Sequence, residues 1–312
     1  MSLKNYIKDF FNELEVYEDQ NGNNYKNRIY ETIINFLNDK TEANAYKVYE
    51  SFFKAYWIGI QDEVNPFLEL TQKMKNFEEN GGHLLKNHRD HYFHTVFVFL
   101  LGLVIYEKNP SYKEIFNEYA LNKEVYPDSY DTSHEEFFYR WGLAALSHDI
   151  AYPLEIIVKQ ANEYIKFVCG YCEPNEEIKG IKIELLTSDE FLELPVLKPK
   201  KEFEEEFNKN YEDSKTRFLG DSVSLLSYAM HENFELPFNE VKTELNEFIN
   251  HMNRENFIDH GFFSAIIMLK WYHHLIKKTD WHPAYFYFPV LDASSAVLLH
   301  NYYKHGLKNS LI

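Results

Sequence analysis

The 312-residue chain contains few of the residues that interrupt helices or cross-link small folds, namely 11 Gly, 10 Pro and 2 Cys. Most of its length has the 3.6-residue hydrophobic period of amphipathic helices. The two cysteines, Cys169 and Cys172, form a single Cys-x-x-Cys pair, and the lack of a second pair excludes a four-cysteine zinc site. We expect these two cysteines to be ordinary helix residues rather than redox-active or metal-binding ones. The composition therefore predicts an all-α protein.

The chain also has little positive charge and no long apolar run. Its 32 Lys and Arg stand against 49 Asp and Glu, for a net charge of -17, which argues against a surface for duplex nucleic acid. A locally basic pocket for one small phosphate ester remains compatible with that balance. The longest apolar run, Val96–Tyr106, is much shorter than a membrane span. The N-terminus contains Asp9 and does not resemble a signal peptide. We therefore expect a cytoplasmic protein that binds neither membrane nor duplex nucleic acid, and the low cysteine content fits a reducing compartment.

Hydrophobic residues make up 45% of the chain and aromatic residues 17%, which is enough for a large core. Residues 1–80 predict about four amphipathic helices, interpreted as an N-terminal helical elaboration. Residues 81–312 are predicted to form the domain that carries the chemistry, with an irregular insertion around residues 170–215. Helices are predicted over Leu3–Tyr17, Lys26–Asn38, Ala43–Ile60, Pro66–Phe77, Glu135–His148, Leu154–Val168, Asp221–His231, Phe238–Met252, Phe262–Ile276 and Asp292–Tyr303.

Two stretches predict connections between these helices. Asn109–Ser133 is polar, with one short helix expected over Tyr112–Tyr119. Trp281–Pro289 is rich in aromatic residues and is predicted to be an aromatic loop that packs on the core.

The segment Ala144–Pro153 places two metal-type ligands, His148 and Asp149, at the end of an apolar helix. Burying an imidazole and a carboxylate without partners costs a few kcal/mol or more. These side chains are therefore predicted to pair with each other, with other polar groups or with a metal ion.

Three other stations offer similar ligands. Asp90, His91 and His94 precede an apolar run, and their spacing places His91 and Asp90 on the same helix face as His94. His260 opens a predicted helix, and His300 lies in the last one. Imidazole and carboxylate together suit Zn, Mn, Fe and Ni, and facing helices commonly supply such ligands in helical proteins.

These motifs, in this order, resemble the HD superfamily of metal-dependent phosphohydrolases. Arg-Asp-His-Tyr-Phe-His-Thr at 89–95 resembles the family's first-histidine helix, and Leu-Ser-His-Asp-Ile-Ala-Tyr-Pro at 146–153 resembles its His-Asp turn. Asp-His-Gly at 259–261 and Leu-His-Asn at 299–301 resemble the further histidines of two-metal members. The resemblance covers about residues 85–305 and implies an HD-like helical bundle.

The resemblance also implies the ligands of one or two divalent ions, from among Mn, Fe, Zn, Ni and Mg. His94, His148 and Asp149 would bind the first metal, with Asp149 bridging to the second. His260 and His300 would hold that second metal.

The same resemblance implies the chemistry, which is hydrolysis of a phosphoester or phosphoanhydride in a small nucleotide-type substrate. Metal-activated water would attack phosphorus. Asp149 would act at the metals, Asp90 matches the position of an additional carboxylate ligand in some members, and His91 would protonate the leaving oxygen. The cations expected to hold the phosphate are Lys86, Arg89 and Arg140.

The chain departs from the family pattern at two positions. Ala151 occupies a place where glycine is common, and no aspartate follows His300 before the sequence ends at Ile312. Either Asp292 or another carboxylate replaces that aspartate, or the sequence is a fragment, or the metal site is degenerate. The alternative function is therefore a non-catalytic sensor or regulatory module that binds a nucleotide or a protein partner.

Overall fold

The computed structural model describes residues 2–14, 25–56, 66–81, 91–120, 133–169, 222–278 and 283–302. Within these ranges the regular structure is entirely α-helical, which confirms the all-α prediction. The predicted insertion around residues 170–215 lies outside the described residues. None of the helices in these ranges has both the length and the apolar character needed to cross a membrane.

The chain divides into two compact units, and the first contains helices α1 to α7. These are α1 (Leu3–Glu13), α2 (Tyr25–Asn38), α3 (Glu42–Ala55), α4 (Pro66–Gly81), α5 (His91–Lys108), α6 (Pro110–Ala120) and α7 (Ser133–Ser147). The short helix predicted in the polar connection corresponds to α6. Helices from the predicted N-terminal elaboration thus share a unit with α5, α6 and α7, and the assignment of 1–80 and 81–312 as domains stays a prediction.

The core of the first unit is built largely from aromatic side chains. Phe138 packs against Phe10, Phe52 and Phe99, with ring centroids 5.6–6.0 Å apart. Tilted and edge-on contacts of this kind stabilise a core beyond the burial of apolar area alone. The high aromatic content of the sequence is used here, in the packing of α1, α3, α5 and α7.

Helices α5 and α7 approach closely at Gly102. A Cβ atom there would lie 2.0 Å from Cε2 and Nε1 of Trp141, so only glycine leaves room for this indole ring. The Trp141 Nε1–H donates a hydrogen bond to the Phe99 carbonyl at 2.8 Å. This contact fixes the apolar helix α5, which carries His91 and His94, against α7.

The second unit contains α8 (Tyr152–Cys169), α9 (Ser222–Phe234), α10 (Phe238–Glu255), α11 (His260–Lys278) and α12 (Pro283–Tyr302). Helix α11 packs along α12 and against α8, while α9 packs against α10 and α12. Asn256 ends α10 in the left-handed conformation, with φ 54°. The chain then turns into α11, and this connection places His260 at the first position of that helix.

The aromatic loop predicted over Trp281–Pro289 is wrong from Pro283 onward, because α12 already begins at Pro283. Proline suits the first helical turn, where its missing N–H is not needed. Pro289 lies inside the same helix, where it cannot donate the backbone hydrogen bond of that position.

Candidate metal centre

The His-Asp segment forms a tight turn immediately before α8. The Tyr152 N–H donates to the Asp149 carbonyl at 2.9 Å, and the Ala151 N–H donates to Oγ of Ser264 at 3.0 Å. Ser264 lies one turn after His260 on α11, so this second bond fixes the turn to the helix that carries the next histidine. His148 and Asp149 are both buried, with 9% and 3% of their surface exposed.

The Asp149 carboxylate lies at the centre of a histidine cluster within the second unit. Its Oδ2 is 3.1 Å from Nε2 of His148, and its Oδ1 is 3.2 Å from Nε2 of His260 and 3.8 Å from Nε2 of His300. One ligand atom from each of Asp149, His260 and His300 lies within 4.8 Å of the other two. The structure therefore brings together three stations that are far apart in the sequence.

The capping of α11 determines where the His260 imidazole is placed. The Asp259 carboxylate accepts a hydrogen bond from the Phe262 N–H at 2.8 Å, which is a typical N-cap interaction. At its Nδ1, the imidazole of His260 is hydrogen-bonded to Oε2 of Glu155, from the first turn of α8. Its Nε2 is consequently directed toward Asp149 and toward Nε2 of His300, 3.2 Å away.

The imidazole of His300 packs directly over Gly261. A Cβ on Gly261 would lie 2.9 Å from Cε1 and 3.0 Å from Nδ1 of His300, and 3.0 Å from the Val297 carbonyl oxygen. That carbonyl accepts a hydrogen bond from Nδ1 of His300. An imidazole that binds a metal through Nε2 keeps its proton on Nδ1. Both His260 and His300 place Nδ1 against an oxygen acceptor and direct Nε2 toward the Asp149 carboxylate.

The charges in the cluster are strongly coupled. Burial raises the pKa of Asp149, but hydrogen bonds from His148 and His260 outweigh it and hold the pKa well below its usual range. Burial likewise lowers the pKa of His260, whereas its bonds to Asp149 and Glu155 raise that pKa to about 9. Burial lowers the pKa of His300 to about 4, helped by the charges of His148 and His260 and opposed by its bond to Val297. A metal ion would replace the proton that His260 otherwise carries at neutral pH.

The cluster fits a divalent metal by its donor chemistry. Two neutral imidazole nitrogens and one carboxylate oxygen form a mixed set that suits Zn, Mn, Fe or Ni. Each imidazole has its second nitrogen engaged by an oxygen acceptor, as is usual for histidines that bind metals. The described residues thus include a group of His and Asp side chains that could hold a divalent ion.

Other predicted site residues lie on helices α5, α7 and α12. His91 and His94 lie in the first turn of α5 in the first unit, with ring centroids 6.5 Å apart, and their catalytic and ligand roles stay predictions. Arg140 is buried in α7, where its Nε pairs with the Glu136 carboxylate at 3.0 Å. Asp292 lies eight residues before His300 on α12, about 12 Å along the helix axis. The predicted residues Lys86, Arg89 and Asp90 lie outside the described residues.

Sequence reasoning missed three residues that shape the cluster. Glu155 and Ser264 contact partners 105 and 113 residues away, and no spacing rule relates such positions. Gly261 was quoted only as part of a motif, although its lack of a side chain makes room for His300. The amide nitrogen of Asn301 also lies 3.0 Å from Nδ1 of His260.

Comparison of the chain with protein-family models, with curated proteins and with solved structures finds no match. The class that the fold and the site define is therefore a helical protein with a His/Asp cluster able to hold a metal ion. Any more specific function depends on the geometry of that cluster and on the motifs in the sequence.

Proposed function

We propose that the protein is a metal-dependent phosphohydrolase of the HD type. The observation that carries the proposal is the convergence of Asp149, His260 and His300, each supplying a ligand atom within 4.8 Å of the others. The His-Asp turn was expected to meet the two later histidine stations because the sequence resembles that family. The convergence of unrelated helices on one buried carboxylate agrees with this expectation.

In this proposal each residue of the cluster has a distinct task. A divalent ion bound at the cluster would lower the pKa of a coordinated water molecule and would neutralise negative charge on a phosphoryl group. Asp149 holds a full negative charge for ligation, because its pKa is depressed. His260 and His300 would bind the metal through Nε2. Their Nδ1–H groups are hydrogen-bonded to the Glu155 carboxylate and to the Val297 carbonyl, respectively. The proposal also keeps His94 as a ligand of the first metal.

The substrate in this proposal is a phosphoester or phosphoanhydride of nucleotide type. The Arg140 guanidinium is already paired with the Glu136 carboxylate. Phosphate binding is therefore better assigned to Lys86 and Arg89, which precede the first histidine station in the sequence. His91, also in that station, would protonate the leaving oxygen.

The test combines metal analysis with hydrolysis assays. The wild-type protein should bind Mn²⁺, Fe²⁺, Zn²⁺ or Ni²⁺, and should hydrolyse bis(p-nitrophenyl) phosphate or a member of a nucleotide panel. His260→Ala should lose the metal held by Asp149, His260 and His300 and, with it, the hydrolysis. His251→Ala is the matched control, because His251 lies on α10 and pairs with Arg254 rather than with the cluster. The proposal would be refuted by a wild-type protein that binds none of these ions and stays inactive with added Mn²⁺.

One observation favours the alternative of a non-catalytic sensor. The buried Asp149 carboxylate is already hydrogen-bonded by His148 and His260, so the fold satisfies it without an ion. A sensor would bind a nucleotide with unchanged affinity after chelation and would release no phosphate. The hydrolase proposal predicts the opposite, because its chemistry requires the metal.

A further inference from the structure

The Glu155 carboxylate approaches the one nitrogen of His260 that does not face the cluster. Glu155 lies in the first turn of α8, and its Oε2 is hydrogen-bonded to Nδ1 of His260 at the start of α11. The side chain of His260 is 13% exposed and that of Glu155 is 32% exposed, so the contact lies at the edge of the buried cluster. Neither the His-Asp motif nor any other motif of the sequence includes Glu155.

The two nitrogens of the His260 imidazole point in different directions. Nε2 lies 3.2 Å from Oδ1 of Asp149 and 3.2 Å from Nε2 of His300. Nδ1 is on the far side of the ring, where it meets Glu155. Because a carboxylate only accepts hydrogen bonds, Glu155 selects the form of His260 that carries its proton on Nδ1.

His300 provides an internal comparison. Its Nδ1 donates to the Val297 carbonyl three residues earlier on the same helix, so its tautomer is set by a neutral acceptor of its own backbone. The N–H of His260 instead meets a charged side chain from another helix. A charged acceptor makes a stronger hydrogen bond and leaves the imidazole a more basic ligand.

We propose that Glu155 is a positioning residue that fixes the orientation and tautomer of His260, so that Nε2 is presented to the metal. This inference rests on the proposed function, because it needs a metal at the cluster. Glu155 does not itself reach the side of the imidazole where Asp149 and His300 converge. Its contribution is to the affinity and geometry of the metal site.

The test compares Glu155→Ala and Glu155→Gln with the wild type. Glu163→Ala is the matched control, because Glu163 is an exposed carboxylate two turns further along α8. Zn²⁺ affinity is measured by competition with a chelating dye, and the Co²⁺-loaded proteins are compared by their visible absorption. Nitrogen-15 NMR of the histidine rings, recorded at a pH well above the His260 pKa of about 9, reports the tautomer of the neutral His260 in the metal-free proteins.

We expect Glu155→Ala to weaken Zn²⁺ binding about 10- to 100-fold, to change the Co²⁺ spectrum and to mix the His260 tautomers. Glu155→Gln should recover part of the affinity and the Nδ1–H tautomer, because its amide oxygen still accepts a hydrogen bond. Glu163→Ala should behave as the wild type in all three measurements.

The outcomes separate this inference from the proposed function. If the wild type binds Zn²⁺ and Glu155→Ala binds it equally well with an unchanged Co²⁺ spectrum, the role of Glu155 is refuted and the metal site stands. A loss of thermal stability without any change in metal affinity, spectrum or tautomer would show a merely structural contact and would also refute it. A wild-type protein that binds none of Mn²⁺, Fe²⁺, Zn²⁺, Ni²⁺ and Co²⁺ overturns both proposals together.

Discussion

Gly261 allows the sharpest test of the cluster geometry, because a single added methyl group would meet the imidazole of His300. In Gly261→Ala the new Cβ would lie 2.9 Å from Cε1 and 3.0 Å from Nδ1 of His300. The Val297 carbonyl oxygen would also lie 3.0 Å from the new Cβ. Neither an imidazole held by its own hydrogen bond nor a helix backbone yields easily to such contacts.

Two opposing effects decide the sign of the stability change. Replacing glycine by alanine in a helix stabilises by about 0.5–1 kcal/mol. Overpacking a filled site costs about 1–3 kcal/mol. Since the contact atoms belong to an imidazole held by its own hydrogen bond and to helix backbone, the steric cost should exceed the gain in helix propensity. We expect a net loss of about 0.5–2 kcal/mol in the free energy of unfolding.

Urea unfolding of four metal-free proteins measures the steric contact separately from propensity. The proteins are the wild type, Gly261→Ala, His300→Ala and the double variant. Removal of the imidazole relieves the closest contact, so Gly261→Ala should cost about 0.5–3 kcal/mol less in the His300→Ala background than in the wild type. In the metal-loaded wild type, the same substitution should also weaken metal binding, because His300 must move.

The reasoning would be refuted if Gly261→Ala stabilised the wild type by the amount expected from helix propensity. Equal effects in the two backgrounds would likewise show that His300 does not pack on Gly261. A cost that persists in the His300→Ala background would be assigned to the Val297 carbonyl, which is unchanged there.

Three further predictions follow from the same cluster. In the metal-free protein the pKa of His260 is raised from 6.5 to about 9. Protonation of His260 therefore contributes about 3 kcal/mol to the free energy of unfolding. This contribution is fully present below pH 6.5 and is lost as the pH rises to 9. Urea unfolding across this range should show the loss in the wild type and not in His260→Ala; His300, with a pKa lowered to about 4, titrates below this window. Ser264→Ala removes the acceptor of the buried Ala151 N–H and should cost about 1–3 kcal/mol in urea unfolding, and a change below 0.5 kcal/mol would contradict that bond. When the free metal concentration is 100 times the dissociation constant, adding a chelator should remove about 2.7 kcal/mol of stability. The measurement is the drop in melting temperature, which His251→Ala should share and His260→Ala should not show.

The sequence was sufficient to predict the helical class and most of the helices, because hydrophobic periodicity is a local property. It also singled out Asp149, His260 and His300, since polar ligands at the ends of apolar helices need partners. Their convergence on one carboxylate is what the structure adds. The order of the motifs indicated a shared site, but three-dimensional distances were needed to show which ligand atoms meet.

The parts that escaped sequence reasoning depend on long-range packing. Glu155 resembles any first-turn glutamate of a helix, and only the packing of α8 on α11 gives it a histidine partner. The helical conformation of residues 283–289 was not predicted from the sequence, where Pro283 occupies a helix start and Pro289 is buried within α12. Local pattern alone does not distinguish these two uses of proline.

The first turn of α11 combines four different requirements in one short stretch of chain. Asp259 caps the helix and His260 carries a ligand nitrogen. Gly261 leaves space for His300, and Ser264 accepts a hydrogen bond from the Ala151 N–H of the His-Asp turn. Each successive residue of a helix is rotated by about 100°. A one-residue insertion after Gly261 would therefore rotate Asp259, His260 and Gly261 by that angle relative to Ser264, so the two sets could not keep their partners together. The segment should accordingly tolerate conservative substitution at single positions far better than any change in its length.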